Sequence, residues 1–445
     1  MLKFIALFML VPFLGMAGSA DETLLLQSPS ISEQHITFHY GADIWIANRD
    51  GSNPRRLTQD ADREFGPILS PDGKWVAFTA RYDGSTDVYV VPSTGGTPKR
   101  LTWHSDEDRA IGWTPDGKVL FSSPRLRDPK PPGRLFTIGL NDVWPEALPM
   151  PAVSDGSLSP DGNHIAYTPT PNPTRTWKRY RGGLMSKIWV FDLKTHDHVE
   201  IPGKGSNNLQ PQWLNDKIYF LSDRNHTMNL FSYDVKAKTV KQETDHEDYD
   251  VKWLSAGAGA LIYSQAGRLH VFNPKTGKSE TLKIKIHGEM PAARPHWVDG
   301  SKFMRSGSVS STGLRAAVET RGEIFTVPLK NGVTRNITNS PAVHERSPAW
   351  SPNGGWIAYF VEHEGEYALG LRDQKGYGPQ RLIQLPKKNF YYDPRWSPDS
   401  KKIAFTDKQL NLWYVDVEEG KYHLVDSSAY DHPVRSIDPA WSHDS

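Results

Sequence analysis

Ser70-Pro71-Asp72-Gly73-Lys74-Trp75 runs straight into Val76-Ala77-Phe78, a tight turn feeding a short apolar strand. Proline presets φ at the second turn position, and glycine accepts the positive φ that closes the turn. The same turn returns as Thr114-Pro115-Asp116-Gly117-Lys118, Ser159-Pro160-Asp161-Gly162, Ser351-Pro352-Asn353-Gly354 and Ser397-Pro398-Asp399-Ser400. A tryptophan stands just before it at Trp113, Trp350, Trp396 and Trp441. Weaker copies follow Trp213 and Trp253, and another sits at Ser310-Ser311-Thr312-Gly313. With the first turn residue as marker, nine copies are spaced by 40 to 56 residues, and four of the eight steps lie between 44 and 46. A period of ~40–50 residues is that of a propeller blade.

Each period reads as four short antiparallel strands. Trp75-Val76-Ala77-Phe78 and Ile403-Ala404-Phe405 are the short apolar runs expected of a strand buried between stacked sheets. Asp87-Val88-Tyr89-Val90-Val91-Pro92, Lys187-Ile188-Trp189-Val190-Phe191 and Asn411-Leu412-Trp413-Tyr414-Val415 supply the strand after it. Glycine-bearing turns such as Lys275-Thr276-Gly277-Lys278 lead to an outer strand, which ends Arg56-Leu57-Thr58, Arg100-Leu101-Thr102 or Asn336-Ile337-Thr338. No segment keeps a 3.6-residue period, so the fold class is all-β, built by radial repetition.

Two steps are long. One holds a Pro-rich then basic insertion, Thr176-Trp177-Lys178-Arg179-Tyr180-Arg181-Gly182-Gly183, read as a solvated loop on one propeller face. The other holds residues 283–300, with Pro291 and Pro295 and no repeat signature, read as a domain boundary. Six repeats precede that boundary, the first a divergent one from Ser28 to Thr58; three and the start of a fourth follow it. Three blades and a fraction cannot bury their own faces. The expected organisation is a six-bladed propeller at 28–286, a linker at 287–300 and an incomplete second propeller at 301–445, with the chain ending inside a repeat at Trp441-Ser442-His443-Asp444-Ser445.

The first twenty residues carry Lys3, an uncharged run from Phe4 to Met16, and then Ala17-Gly18-Ser19-Ala20. These are the three zones of a secretory signal peptide at 1–20. The apolar run is shorter than the ~20 residues a helix needs to span a bilayer. A periplasmic or secreted protein without membrane attachment after cleavage is expected. Over 445 residues, 37% hydrophobic and 23% charged composition excludes a disordered, collagen-like or multi-spanning membrane chain. Lys+Arg 52 against Asp+Glu 51 leaves no basic field to hold nucleic acid. Cysteine is absent, which removes disulfides, thiolate metal sites and a cysteine nucleophile.

Catalytic patterns are missing. There is no Gly-x-Ser-x-Gly elbow, no His-Glu-x-x-His, and no phosphate loop around Gly277-Lys278-Ser279, so no catalytic residue, metal or cofactor is assigned. Polar clusters at His104-Ser105-Asp106-Glu107-Asp108, His246-Glu247-Asp248-Tyr249-Asp250, His344-Glu345-Arg346 and Asp431-His432 recur at one place in the repeat. Recurrence points to interblade loops bonding to neighbouring turns. Two regions break the period: Ser122 to Arg134, with Arg125, Arg127 and Arg134, and Lys178-Arg179-Tyr180-Arg181. Arginine forks hold carboxylates with two parallel bonds, so Arg125, Arg127 and Arg134 are the candidate contacts for a peptide C-terminus or an acidic side chain.

The Ser-Pro-Asp-Gly repeat resembles the propellers of TolB-like proteins and prolyl oligopeptidases. Longer stretches are similar to bacterial tricorn protease homologues: Thr176 to Leu193, Ser311 to Pro328, and Glu345-Arg346-Ser347-Pro348-Ala349-Trp350-Ser351-Pro352-Asn353-Gly354. The resemblance implies a six-bladed propeller, then a seven-bladed one, then a PDZ-like module and a split catalytic core with a serine nucleophile and His, Ser and Glu partners. It further implies peptide substrates, gating by the propellers, and catalytic residues beyond Ser445. That family anchors peptide C-termini by an adjacent arginine pair; here Arg125, Arg127 and Arg134 form a comparable stretch without an Arg-Arg pair. A homo-oligomer formed through the rest of the protein is compatible with this reading, and a cytoplasmic location is the alternative the family suggests. The rival reading is a non-enzymatic TolB-like periplasmic propeller that binds a protein partner.

Overall fold

In the computed structural model, residues 22–60, 62–125, 133–150, 152–170, 177–288, 294–432 and 437–445 are described. Nine four-stranded sheets follow one another along the chain, each a meander of consecutive antiparallel strands. They span 27–56, 64–100, 109–147, 155–200, 208–242, 252–281, 304–336, 345–384 and 391–427. We number them sheets 1 to 9 and call the first strand of each the innermost.

The innermost strands of sheets 1 to 6 pack each against the next, and that of sheet 1 also packs against that of sheet 6. Side chains hold this last contact. Ile36, Phe38 and Trp45 of sheet 1 bury against Ile262 and Leu269 of sheet 6 and against Leu282 and Ile284 just beyond it. Each such side chain contributes ~1.5–3 kcal/mol on leaving water. Backbone bonds flank the seam, from Thr23 N to Ile284 O at 2.7 Å and from Leu26 N to Gly267 O at 3.1 Å. Sheets 7, 8 and 9 pack in the same serial way.

The Ser-Pro-Asp-Gly turns join the first two strands of a sheet. In each, the serine hydroxyl donates to the aspartate or asparagine: Ser70 to Asp72 at 2.6 Å, Ser397 to Asp399 at 2.6 Å and Ser351 to Asn353 at 2.8 Å. Three of the tryptophans before the turn reach back one sheet, whereas Trp350 and Trp213 donate within their own turns, to Gly354 O and Asn215 O. Trp113 Nε1 donates to Ile68 O at 3.0 Å, Trp396 Nε1 to Ala349 O at 2.9 Å, and Trp441 Nε1 to Arg395 O at 3.0 Å. Trp441 thus bonds to sheet 9 as the innermost strand of sheet 9 bonds to sheet 8.

Trp253 corrects the sequence reading. The turn of sheet 6 is Ala258-Gly259, between strands Lys252–Gly257 and Ala260–Gln265, and Ala256 occupies the place held elsewhere by tryptophan. Trp253 lies three residues upstream, in a bulge. Such bulges recur with φ positive at Ser28, Gly66, Gln210, Trp253, Ser347 and Asp393, and each coincides with a register shift. Proline follows at Pro29, Pro67, Pro211, Pro348 and Pro394. An edge strand with a bulge and a proline cannot template another strand.

Candidate functional site

A cavity of 1200 Å³ is lined by the innermost strands of sheets 1 to 6. Its walls bond around the circumference. Leu69 N donates to Ser30 Oγ at 2.8 Å, Trp213 N to Ser157 Oγ at 2.9 Å, and Leu254 N to Gln210 Oε1 at 3.1 Å. Edge groups that would otherwise face the lumen are thereby engaged with the neighbouring sheet. Asp62, Arg63, Arg81, Glu107 and Arg109 line the end where the innermost strands begin. Arg109 and Glu107 pair there at 2.6 Å. Asp155 begins the innermost strand of sheet 4 in the same wall, and burial pushes its carboxyl up to about 7.

The recurrent acids at the loop ends are seats between sheets. Glu64, Asp108 and Glu345 are buried, and each stands five residues before the tryptophan position. Glu64 Oε2 accepts from Ile44 N at 3.1 Å and bonds to Thr58 and Tyr82, tying sheet 2 to sheet 1. Glu345 bonds to Ser340 and donates its own N–H to Gly322 O at 2.8 Å. Desolvation raises the carboxyl pKa of all three, that of Glu345 to about 7. Among the described residues, no group of three or more His, Cys, Asp or Glu side chains could hold a metal.

Of the three candidate arginines, Arg127 lies outside the described residues. Arg125 pairs with buried Asp108, donates from Nε to Ser123 Oγ at 2.9 Å, and lies over Phe121 and Phe136. Arg134 begins the third strand of sheet 3 opposite Ser123, which stands two residues before Arg125 at the end of the facing strand. Arg125 is already satisfied from within the protein.

The basic insertion is not a solvated loop. Lys178, Arg179 and Tyr180 are buried, with 5%, 8% and 9% of their surfaces exposed. Lys178 Nζ reaches Asp250 at 2.5 Å and Arg181 Nη1 reaches Asp223 at 2.8 Å, fixing the segment to sheets 5 and 6. On its other side, Arg179 Nη2 donates to Gln409 O at 2.6 Å and to Ser428 O at 3.0 Å. Lys178 and Asp431 exchange bonds, Lys178 N to Asp431 Oδ2 at 2.9 Å and Asp431 N to Lys178 O at 3.0 Å. Tyr249 adds a bond to Glu366 at 2.7 Å. The run's charges are answered by acids far along the chain, which no local window of sequence reveals.

Radially stacked four-stranded meanders around a lined lumen define a β-propeller protein. The chain belongs to the tricorn protease N-terminal beta propeller domain family, which matches residues 23–278. It is 26% identical over 414 residues to a tricorn protease homolog of Saccharolobus solfataricus, covering 91% of this chain and 37% of that protein. It is 27% identical over 426 residues to tricorn protease homolog 1 of Streptomyces coelicolor, covering 91% and 38%. The chain therefore spans less than two-fifths of the length of these relatives. The crystal structure of the tricorn protease superposes with a TM-score of 0.57 at 21% identity, covering 91% of this chain and 40% of that one.

Proposed function

We propose that this chain is the substrate-gating N-terminal part of a tricorn-like serine peptidase that degrades oligopeptides. The observation that carries the reading is the 1200 Å³ lumen whose strand edges are bonded sideways or blocked by proline, so that an extended peptide passes without adding as a strand. In this reading residues 28–286 are a six-bladed propeller, 287–300 a linker, and 301–445 the start of a second propeller. The packing of sheet 1 on sheet 6 and the bond from Trp441 to Arg395 support that division. The catalytic groups belong to segments outside residues 1–445, and residues 1–20 direct the protein to the periplasm or outside the cell. Arg125, Arg127 and Arg134 are the proposed contacts for peptide carboxylates; Arg125 would have to exchange Asp108 for its ligand.

The test is hydrolysis of oligopeptides by the 445-residue chain and by the longer protein. The longer protein is expected to cleave them and to lose activity when its nucleophilic serine is replaced, whereas the 445-residue chain is expected to be inactive. Cleavage by the short chain, or none by either, would overturn the assignment.

A further inference from the structure

A second cavity, of 660 Å³, opens between sheets 7 and 8 and shares no residue with the lumen. Residues 333–339, around the fourth strand of sheet 7, form one wall; Arg372 and the turn at 375–377, between the third and fourth strands of sheet 8, form the other. The walls meet at a glycine. Gly376 has a φ of +74°, and a Cβ there would stand 3.0 Å from Ile337 Cα. Three of the side chains lining the cavity are basic, Arg335, Arg372 and Lys375, and none is acidic.

The repeat shows what a cation at the place of Arg335 ordinarily does. A basic residue opens the fourth strand of sheets 1, 2 and 8, and each donates to a carbonyl oxygen in the turn between the third and fourth strands of the following sheet. Arg55 bonds Ser93 O, Lys99 bonds Leu140 O at 2.5 Å, and Arg381 bonds Glu418 O at 2.9 Å. In sheet 6, Lys278 holds that place and is exposed. Arg335 opens the fourth strand of sheet 7 and is half-buried, yet it reaches no carbonyl of the next turn. Its guanidinium stands over the Tyr377 ring instead, 5.9 Å from the centroid. Arg372 is open as well: Nη2 has one long bond, to Gly376 O at 3.4 Å, and the buried Nε has no partner.

The neighbouring acids are engaged elsewhere. Asp373 accepts from Lys375 N and Gly378 N, each at 2.8 Å, Glu323 accepts from Thr338 Oγ1 at 2.8 Å, and Glu345 bonds Ser340. Arg315 adds a further charge behind the wall, its Nη2 donating to Val333 O at 2.9 Å. Like charges gathered around one cavity repel until an anion enters it, and guanidinium forks match oxyanions with paired bonds. The volume lies within the ~300–1,000 Å³ of small-molecule sites.

We infer that the cavity between sheets 7 and 8 binds a small anion carrying two or more negative charges, a phosphate ester or an oligocarboxylate. Arg335 and Arg372 hold its oxygens from the two walls, Lys375 adds a point charge from the turn, and the Tyr377 ring backs Arg335.

The test is calorimetric titration of the 445-residue chain at low ionic strength with pyrophosphate, with citrate and with acetate. Pyrophosphate, citrate or both should saturate a single site that acetate does not fill. Arg335→Gln and Lys375→Gln alter side chains that make no hydrogen bond of their own, and each should weaken that binding about tenfold or more, the worth of one charge-assisted contact. Arg381→Gln removes the same charge from the corresponding place one sheet on, outside the cavity, and should leave binding unchanged. Saturation by pyrophosphate alone identifies a phosphate-ester site, by citrate alone an oligocarboxylate site, and by both a site that reads charge. No saturable binding of either anion, equal binding of acetate, or a response to Arg335→Gln no greater than that to Arg381→Gln overturns the site.

Discussion

The Arg179 guanidinium lies 2.6 Å from the carbonyl oxygen of Gln409, joining an insertion of sheet 4 to a hairpin of sheet 9 across 230 residues of chain. The same group bonds Ser428 O, and its own anchor residues, Lys178 and Arg181, are held by Asp250 and Asp223. The insertion is thus a bracket with one leg on each set of sheets. A bond from a charged donor contributes ~1.5–3 kcal/mol. Arg179→Ala is expected to weaken the join by about that amount. Calorimetry should then resolve separate transitions for the two sets of sheets, and protease should cut sooner within 287–300. A variant that melts in one transition at the parental temperature would contradict the bracket.

Arg125 supplies the second expectation. Asp108 is fully buried and Arg125 faces it, so removing the arginine leaves a carboxylate without its counter-charge. Breaking a buried pair from one side costs ~3–5 kcal/mol. Arg125→Ala should destabilise the protein on that scale in urea, and adding Asp108→Asn should recover part of the loss. If Arg125→Ala left stability unchanged while weakening peptide binding, Arg125 would be a ligand contact rather than a structural one.

The repeat could be read from Ser-Pro-Asp-Gly alone because turn chemistry is local: the serine, proline, aspartate and glycine needed at each corner are contiguous in sequence. Trp113 and Trp396 were equally visible, since each bonds one period back. Trp253 misled, because a tryptophan in a bulge and one before a turn look alike until the turn is placed. The dipeptides Gly66-Pro67, Gln210-Pro211, Ser347-Pro348 and Asp393-Pro394 were the available signal for the bulges, standing at a constant distance before the turn. Lys178-Arg179-Tyr180-Arg181 stands out in the sequence as an exception to the period. Its burial was not legible, because Asp223, Asp250 and Asp431 approach it only in the folded chain.

Glu345 sets a pH dependence whose sign follows from its environment. Burial raises its carboxyl from an ordinary 4.5 to about 7, so the folded protein holds a proton that the unfolded chain has released. Stability from this group is full below about 4.5 and is lost as pH rises through about 7. Glu345→Gln keeps the shape and the bond to Ser340 without the charge. Its melting temperature should exceed the parental value at pH 8 and match it at pH 4; a variant less stable at pH 8 would show that the ionised carboxylate stabilises the seat.

Gly66 tests the bulges. Its φ is 54°, in the left-handed region, and a Cβ built there would meet nothing within 4 Å. Any cost of adding a side chain is therefore that of the backbone conformation, ~1–2 kcal/mol for an ordinary L-residue. Ser28, Gln210, Trp253, Ser347 and Asp393 carry a Cβ at the same bulge, so the fold tolerates that cost at five other sheets. Gly66→Ala should lower the urea midpoint by the equivalent of about 1 kcal/mol with the slope unchanged, because the surface exposed on unfolding stays the same. Gly66→Asn should lose less than Gly66→Ala, since asparagine enters the left-handed region more readily. Equal losses from alanine and asparagine would place the cost in crowding of the lumen instead of in φ.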